Sequence, residues 1–168
     1  MENMKKIELT QNQYALVDDE DYNRLNRWKW YARYTPGTKS YYAQRYTPMK
    51  NGKRKIIYMH RIIMDTPSNM QTDHVNHDTL DNKKENLRIC TSSQNGMNRT
   101  QHKKTSSKYK GVCWHKRDKK WYAHIRINDK LTYLGAFKSE IQAAKAYNKK
   151  AKELFGEFAL SNNIKEMK

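Results

Sequence analysis

The sequence has few cysteines, few acidic residues and no long apolar run, and each scarcity argues against a class of protein. Cys90 and Cys113 are its two cysteines, far apart and in no Cys-x-x-Cys pair. That argues against a disulfide framework and a thiolate zinc site, so both are predicted to be buried, inert thiols. The start, MENMKKIELT, lacks the apolar core of a signal peptide, and no apolar run approaches the ~20 residues of a bilayer span. We expect a soluble, intracellular, cytoplasmic protein.

Acidic residues are outnumbered two to one by basic ones. The 168 residues include 34 Lys and Arg against 17 Asp and Glu, a formal net charge of +17, and 36% are hydrophobic. The charge is concentrated towards the end of the chain, in residues 101–168. This balance predicts small cores, a cationic surface and a polyanionic partner. An ordinary solvated basic surface is the alternative, but it needs far less charge. The length fits one compact domain or two small ones.

The first part of the chain is predicted to be a small sheet followed by a polar segment that holds a site. Residues 1–57 alternate Tyr- and Trp-rich runs with turn signals, which is typical of a small antiparallel sheet with an aromatic core. A short helix is predicted near Asp19 to Leu25. Residues 58–99 are rich in His, Asn and Asp and fit a strand, a loop, a strand and a helix, with Thr91 or Ser92 as the helix N-cap.

A linker and a second unit follow. Residues 100–108, TQHKKTSSK, contain no apolar residue and predict a flexible basic linker. Residues 109–162 predict three strands, with turns at Arg117–Lys119 and Asn128–Asp129, followed by a helix. Residues 163–168 form a tail. The fold class predicted for the whole chain is therefore α+β, with residues 1–99 as the first domain.

The helix of the second unit has clear end signals and one apolar face. Ser139 with Gln142 three residues on is a capping-box pattern, and Gly156 is placed as a C-terminal stop. Apolar residues recur at three- and four-residue steps and predict a stripe that packs on the sheet: Ile141, Ala144, Tyr147, Ala151 and Leu154.

The polar segment contains the residue types of a metal-dependent hydrolytic centre. The Asp73 carboxylate and the Asn95 amide oxygen are ligands that a hard cation such as Mg²⁺ prefers, with Mn²⁺ as a second choice. His74, with an unperturbed pKa of ~6.5, is suited to accept a proton near neutral pH. Adjacent strand residues face opposite sides, so Asp73 and His74 can share a site only where the strand ends or twists. Taken singly, these residues fit turn and cap positions as well as a site.

The stretch DHVNHDTLDNKKENLRICTSSQNGMN, preceded by MHRIIMDTP, resembles the HNH nuclease motif of phage and intron-encoded homing endonucleases. The resemblance implies that His74 is the general base, that Asp73 and Asn95 hold the metal, and that Asn86 braces the loop that orients His74. Arg88 belongs to the same Asn-Leu-Arg element. The last motif position, His in many members, is Asn95 here. His60, upstream of the motif, is expected to pack or to contact phosphate rather than to bind metal.

Strand alternation divides the predicted strand KWYAHIRIN into two faces. The face towards the helix comprises Trp121, Ala123, Ile125 and Ile127. The opposite face is chemically suited to nucleic acid, and neighbouring strands extend it: Lys110, His115, Lys116, Tyr122, His124, Arg126, Asn128 and Tyr133.

Five segments of the second unit, YKGV, KWYAHIR, YLGAF, AAKAY and FGEFALSN, resemble the plant Apetala and ethylene-response-factor DNA-binding domain over residues 108–162. The resemblance implies a three-stranded sheet in the major groove with the helix behind it. It places Lys110, His115, Arg126 and Tyr133 at contacting positions. Cys113 stands where the plant domains have Arg, and His124 where they have Glu, so the plant recognition sequence does not carry over. A basic sheet that only packs against the first domain is the alternative.

Together the resemblances imply a sequence-directed, divalent-metal-dependent endonuclease of the homing, phage type that acts on double-stranded DNA without an obligate protein partner. One such centre attacks one strand, so a monomer is expected to nick. The alternative is a non-catalytic DNA-binding regulator with a degenerate motif, which binds DNA but does not cut it. An RNA-directed enzyme is a second alternative.

Overall fold

The chain folds as two compact units, residues 1–92 and residues 93–168, here called the N-terminal unit and the C-terminal unit. The structure, a computed structural model, describes residues 4–99, 105–127 and 130–164. The first half of the predicted linker, the predicted turn at Asn128–Asp129 and the end of the tail lie outside the described residues. The domain limits inferred from the sequence, with a linker at 100–108, stay a prediction.

The N-terminal unit consists of short antiparallel strands and two short helices. β1 and β2 form a hairpin, β3, β4 and β5 form a three-stranded sheet in that order, and β6 pairs with β7. A 3-10 turn at Lys84–Asn86 precedes β7. The elements in chain order are β1 (Met4–Glu8), β2 (Tyr14–Asp18), α1 (Asp19–Leu25), β3 (Tyr31–Thr35), β4 (Ser40–Tyr46), β5 (Ile56–Tyr58), α2 (Met59–Ile63), β6 (Gln71–His74) and β7 (Leu87–Cys90).

The core of this unit is mostly aliphatic, and the prediction of an aromatic core is wrong. Trp30 is fully buried and its indole N–H donates to the Leu25 carbonyl at 2.9 Å. The remaining buried apolar side chains are small or aliphatic: Ile7, Ala15, Val17, Leu25, Ala43, Met59, Ile63 and Leu87. Trp28 is instead 51% exposed and lies under the Arg45 guanidinium, 4.2 Å from its ring centroid. Ala15 of β2 and Ala43 of β4 are fully buried, whereas every Tyr and Trp of residues 1–57 except Trp30 is partly buried or exposed.

The C-terminal unit is a three-stranded antiparallel sheet against one long helix. α3 (Ser92–Met97) begins at the last residue of the N-terminal unit. β9 is central between β8 and β10, and a bulge separates Tyr133 from Gly135. The elements after α3 are β8 (Val112–His115), β9 (Lys120–Ile127), β10 (Lys130–Phe137), α4 (Glu140–Phe155) and a 3-10 turn at Gly156–Phe158.

Helix α4 starts and stops where the sequence predicts. The Ser139 hydroxyl accepts from the Gln142 amide at 3.1 Å, and Gly156 at the end has a φ of 53°. Ala143, Ala144, Tyr147 and Ala151 are its buried residues. The stripe prediction is wrong for Leu154, which is 40% exposed, because the packed face continues from Ala151 to Phe155 instead.

The helix side of the sheet carries the predicted apolar set. Ala123 packs with Trp121 in one cluster, and Ile125 packs with Ile127 in the next. The Trp114 and Trp121 rings lie 5.1 Å apart, tilted by 59°. Gly111, before β8, has a φ of 74°, and a Cβ there would meet the Tyr147 ring at 2.1 Å.

The whole chain is therefore an α+β protein with several small antiparallel sheets and few helices. Cys90 is buried as predicted, whereas Cys113 is half-buried, because it lies on the sheet face opposite the helix. In the part of the chain that the structure describes, every helix is too short or too polar to cross a bilayer.

Candidate active site

Asp73 and His74 are the last two residues of β6, opposite Arg88 and Leu87 of β7. Both are buried, with 7% and 5% of their surfaces exposed. The strand ends at His74, and His77 in the turn that follows has a φ of 65°. The strand thus ends where Asp73 and His74, as adjacent residues, need it to end if both are to contribute to one site.

The Asp73 carboxylate is fixed by Arg88, its cross-strand neighbour. Arg88 donates from Nε and from a terminal nitrogen to Asp73 Oδ2, at 3.0 and 2.7 Å. Both side chains are nearly buried, so the guanidinium compensates a charge that would be costly alone. Arg88 therefore holds the carboxylate in one orientation.

His74 is oriented by an amide side chain from the loop that follows it. Its Nε2 lies 3.4 Å from Oδ1 of Asn82, which is 1% exposed. An amide oxygen only accepts, so this contact favours the neutral tautomer with the proton on Nε2 and the lone pair on Nδ1. Burial lowers the pKa of His74, although the contact with Asn82 and the charge of Asp73 act in the opposite direction. A neutral imidazole near pH 7 is the form that can accept a proton.

Asn86 closes the loop between the two strands. Its Nδ2 donates to the Asp81 carbonyl at 2.8 Å, and its Oδ1 accepts from the Asn76 amide at 3.0 Å. The Val75 amide donates to the Asn86 carbonyl at 2.9 Å. Asn86 thus ties the start of the loop, at Val75 and Asn76, to Asp81 near Asn82.

The same loop is attached to the hairpin at the start of the chain. The Asn82 amide donates to the Leu16 carbonyl at 2.8 Å, and the Leu16 amide donates to the Leu80 carbonyl at 2.9 Å. The Asn82 Nδ2 donates to the Leu80 carbonyl at 3.0 Å. Backbone bonds on one side and the Asn86 bridge on the other hold Asn82 against His74.

Aromatic rings surround His74 on another side. The His60 ring lies 5.1 Å from the His74 ring, edge to face, and Tyr42 lies 6.2 Å from it. His60 stacks on Tyr58 with centroids 5.4 Å apart. His60 thus packs, one of the two roles expected from the sequence.

Asn95, the other predicted metal ligand, lies on α3 and is partly buried. It belongs to the C-terminal unit, so its place beside Asp73 stays a prediction. No group of three or more His, Cys, Asp or Glu side chains that could hold a metal lies within the described residues.

The donors nevertheless fit a small hard cation. Both bonds from Arg88 fall on Oδ2 of Asp73, and a carboxylate is a ligand that a hard cation prefers. Mg²⁺ typically takes one or two protein oxygens and keeps several waters, which suits a carboxylate and an amide better than a closed cage.

The C-terminal sheet gathers most of the predicted DNA-contacting residues on its face away from α4. The His115 ring stacks on Tyr122 at 4.5 Å and 3°, and Tyr133 lies 5.2 Å from Tyr122. His124 lies 5.5 Å from Tyr133. Arg126 is exposed on the same strand, and Lys116 is exposed just beyond β8.

Lys110 has different surroundings from the other predicted contacts. Its ammonium donates to the Met97 carbonyl at 2.5 Å, and burial lowers the pKa of Lys110 to about 8. Asn162 binds its backbone on both sides, accepting from the amide at 2.6 Å and donating to the carbonyl at 3.0 Å. A role for Lys110 on DNA stays a prediction.

The sequence does not predict three residues around the site: Tyr42 and Asn82, which contact His74, and Tyr58, which stacks on His60. An Asp-Asn pair in the loop between the Asp-His and Asn-Leu-Arg elements was the available signal. For Tyr42 and Tyr58 no local signal existed, since Tyr-rich strands also fit a packed sheet.

Comparison with known proteins identifies the class of this site. Residues 58–97, which include Asp73, His74, Asn86 and Asn95, match the family model described as HNH endonuclease. The chain is also 35% identical over 152 residues to an uncharacterized HNH endonuclease of Acanthamoeba polyphaga mimivirus, a match that covers 90% of this chain and 75% of that protein. This chain therefore belongs to the HNH endonuclease family. Membership suggests nuclease activity on nucleic acid, and HNH endonucleases generally use a divalent metal ion.

Proposed function

We propose that this protein is a sequence-directed, divalent-metal-dependent DNA endonuclease of the homing type that nicks one strand of double-stranded DNA. The observation that carries the proposal is the buried His74 ring, whose Nε2 faces Asn82 beside the Arg88-bound carboxylate of Asp73. In this arrangement the lone pair on Nδ1 takes the proton from the attacking water. General-base catalysis of this kind contributes about 10²- to 10⁴-fold.

Asp73 and Asn95 would hold the metal ion, Mg²⁺ by preference or Mn²⁺. When bound, the ion neutralises the negative charge that develops on the phosphate and the leaving oxygen. Arg88 keeps the Asp73 carboxylate turned to one side, and Asn86 keeps the loop closed so that Asn82 stays against His74. With one such centre per chain, a monomer attacks one strand.

In this proposal the C-terminal sheet recognises the DNA target sequence. Its stacked His and Tyr side chains, with Arg126 exposed among them, form a polar aromatic face opposite helix α4. This arrangement supports the resemblance to the Apetala and ethylene-response-factor domain, whose sheet enters the major groove. The contacting residues proposed are Lys110, His115, Lys116, Tyr122, His124, Arg126 and Tyr133.

The test is the fate of a supercoiled plasmid library carrying random duplex inserts. With Mg²⁺ the protein is expected to convert target-bearing plasmids to nicked circles, and EDTA is expected to prevent this. His74→Ala should lose at least about 10²-fold in rate. His77→Asn is the matched control, because His77 is an exposed histidine of the same motif and Asn tolerates its positive φ.

Each result has a distinct meaning. Linear product in place of nicked circles would contradict nicking but not cleavage. Plasmids that bind the protein yet stay supercoiled with Mg²⁺ would identify a DNA-binding regulator with an inactive centre. Activity that is suppressed by structured RNA and not by duplex DNA would make RNA the substrate.

A further inference from the structure

A second buried histidine lies against the proposed base. His60 is the second residue of α2, is 7% exposed, and its ring centroid lies 5.1 Å from that of His74 with the planes at 82°. The two residues are fourteen positions apart in the chain, and α2 leads from β5 towards the strand that carries His74. This edge-to-face arrangement is a favoured geometry for aromatic pairs.

His60 is itself held by rings of the three-stranded sheet. Tyr58 stacks on it at 5.4 Å and 19°, and Tyr42 meets it edge-on at 6.0 Å. Tyr42 also contacts Tyr58 and His74, at 6.3 and 6.2 Å. The four rings form one cluster, here called the ring cluster: Tyr42, Tyr58, His60 and His74. Each ring therefore restricts the rotation of the rings it contacts.

The nitrogen atoms of His60 do not explain its position. Its Nδ1 is buried and has no hydrogen-bond partner among the described residues. Burial, and then the proximity of His74 and Arg61, lowers the pKa of His60 to about 3, so the ring is neutral at physiological pH. A neutral imidazole without a bond at a buried nitrogen contributes shape rather than charge.

Packing adds to the polar contact of His74. Asn82 meets the imidazole at Nε2, whereas His60 and Tyr42 pack against its ring. Rotation about χ2 would carry Nδ1 away from the position in which it meets water. A flat ring packed on the imidazole resists that rotation.

We propose that His60 is a positioning residue whose flat ring holds the His74 imidazole in its productive orientation. This rests on the proposed role of His74 as general base. The ring acts through His74 and does not itself touch substrate. Because the contribution is the shape of a ring, another flat ring should replace it and a non-planar side chain of similar size should not.

Three variants test this, assayed under single-turnover conditions on a plasmid carrying a target recovered from the library. His60→Phe should retain a rate within about 3-fold of the parent, whereas His60→Leu and His60→Ala should lose about 10- to 100-fold, since a small misplacement of a reacting group has effects of that size. The protein concentration for half-maximal rate should be the same in all. Assays are run well below the melting temperature of each variant, and His60→Leu keeps the core filled if His60→Ala folds poorly.

A second readout does not depend on cleavage. In a ¹⁵N–¹H spectrum of the histidine rings without DNA, His74 should give two well-separated nitrogen signals, one protonated, in the parent and in His60→Phe. In His60→Leu the ring should turn away from Asn82, which fixes its tautomer, and exchange between the two tautomers should then draw the two signals together. Merged signals in the parent would overturn the proposal.

The activity results separate the proposals. If His60→Phe is as slow as His60→Ala, the nitrogens of His60 matter and the positioning role is wrong. If His60→Leu is as fast as the parent, no ring is needed and it is also wrong. If the parent nicks no plasmid, the proposed function fails, and the ring spectrum alone decides whether His60 orients His74.

Discussion

His74 takes its orientation from side chains on two sides. Asn82 meets Nε2 from the loop that follows β6, and His60 meets the ring from α2. Both neighbours are buried, so neither exchanges its contact for water at low cost. At the level of single residues, the site is an imidazole contacted at one nitrogen by a polar group and packed against a second ring.

Replacing Asn82 should reduce the rate without reducing affinity for DNA. Asn82→Ala removes the acceptor at His74 Nε2, so we expect a loss of about 10²-fold in single-turnover nicking. Its buried bond to the Leu80 carbonyl is lost too, and the free energy of unfolding in urea should fall by about 1–3 kcal/mol. Asn26→Ala, an exposed amide of the same unit, is the control. A parent-like rate for Asn82→Ala would show that Asn82 does not orient His74.

The sequence predicts Asp73, His74 and Asn86 as site residues because these residue types occur in order within a short segment, and that assignment stays a prediction. It did not identify Tyr42, which lies more than thirty residues before His74, on another sheet. Alternation within one strand predicts which face a side chain occupies, but not which element covers that face. That is also why the aromatic core predicted for residues 1–57 was wrong, while helix α1 was placed correctly at Asp19–Leu25.

At the scale of elements, the C-terminal sheet and α4 approach each other closely at Gly111. Its φ of 74° favours glycine, and a Cβ there would lie 2.1 Å from the buried Tyr147 ring and 2.5 Å from the His124 carbonyl oxygen. The predicted end signals of α4 were confirmed because capping is local chemistry. The Gly111 contact joins residues thirty-six positions apart, which sequence spacing does not encode.

Gly111→Ala should therefore destabilise the C-terminal unit. We expect a loss of more than about 2 kcal/mol, because the strained φ adds to a clash that neither a buried ring nor a backbone carbonyl can relieve. Urea unfolding followed by near-ultraviolet circular dichroism measures it. Gly37→Ala has nothing within 4 Å of the new methyl group and should change stability little. Equal unfolding midpoints for the two variants would contradict the close packing of Gly111 against Tyr147 and the His124 carbonyl.

At the scale of the whole molecule, charge and chemistry are unevenly distributed along the chain. The formal net charge is +17, and the more basic part follows the HNH segment. The buried groups around His74 lie in the N-terminal unit, whereas the polar aromatic face lies in the C-terminal unit. If the C-terminal face selects the target as proposed, target choice and rate can be altered independently.

Arg126→Ala tests that independence. We expect weaker binding to the target, a plot of log affinity against log salt that is shallower by about 1, and relaxed target choice with cleavage retained. Lys149→Ala, an exposed lysine of α4, is the control for loss of one positive charge. Filter-binding at several salt concentrations and sequencing of nicked library plasmids measure the two effects. Unchanged target preference in Arg126→Ala would show that Arg126 does not take part in target recognition.

The Trp114–Trp121 pair gives the C-terminal unit an optical label of its own. Two indole rings 5.1 Å apart and tilted by 59° couple their electronic transitions, which produces paired circular dichroism bands of opposite sign. The other two tryptophans belong to the N-terminal unit. Trp28 is exposed and Trp30 is buried. The exciton signal therefore reports one unit while the environment of Trp30 reports the other, so the melting of each can be followed in the intact chain without any added dye.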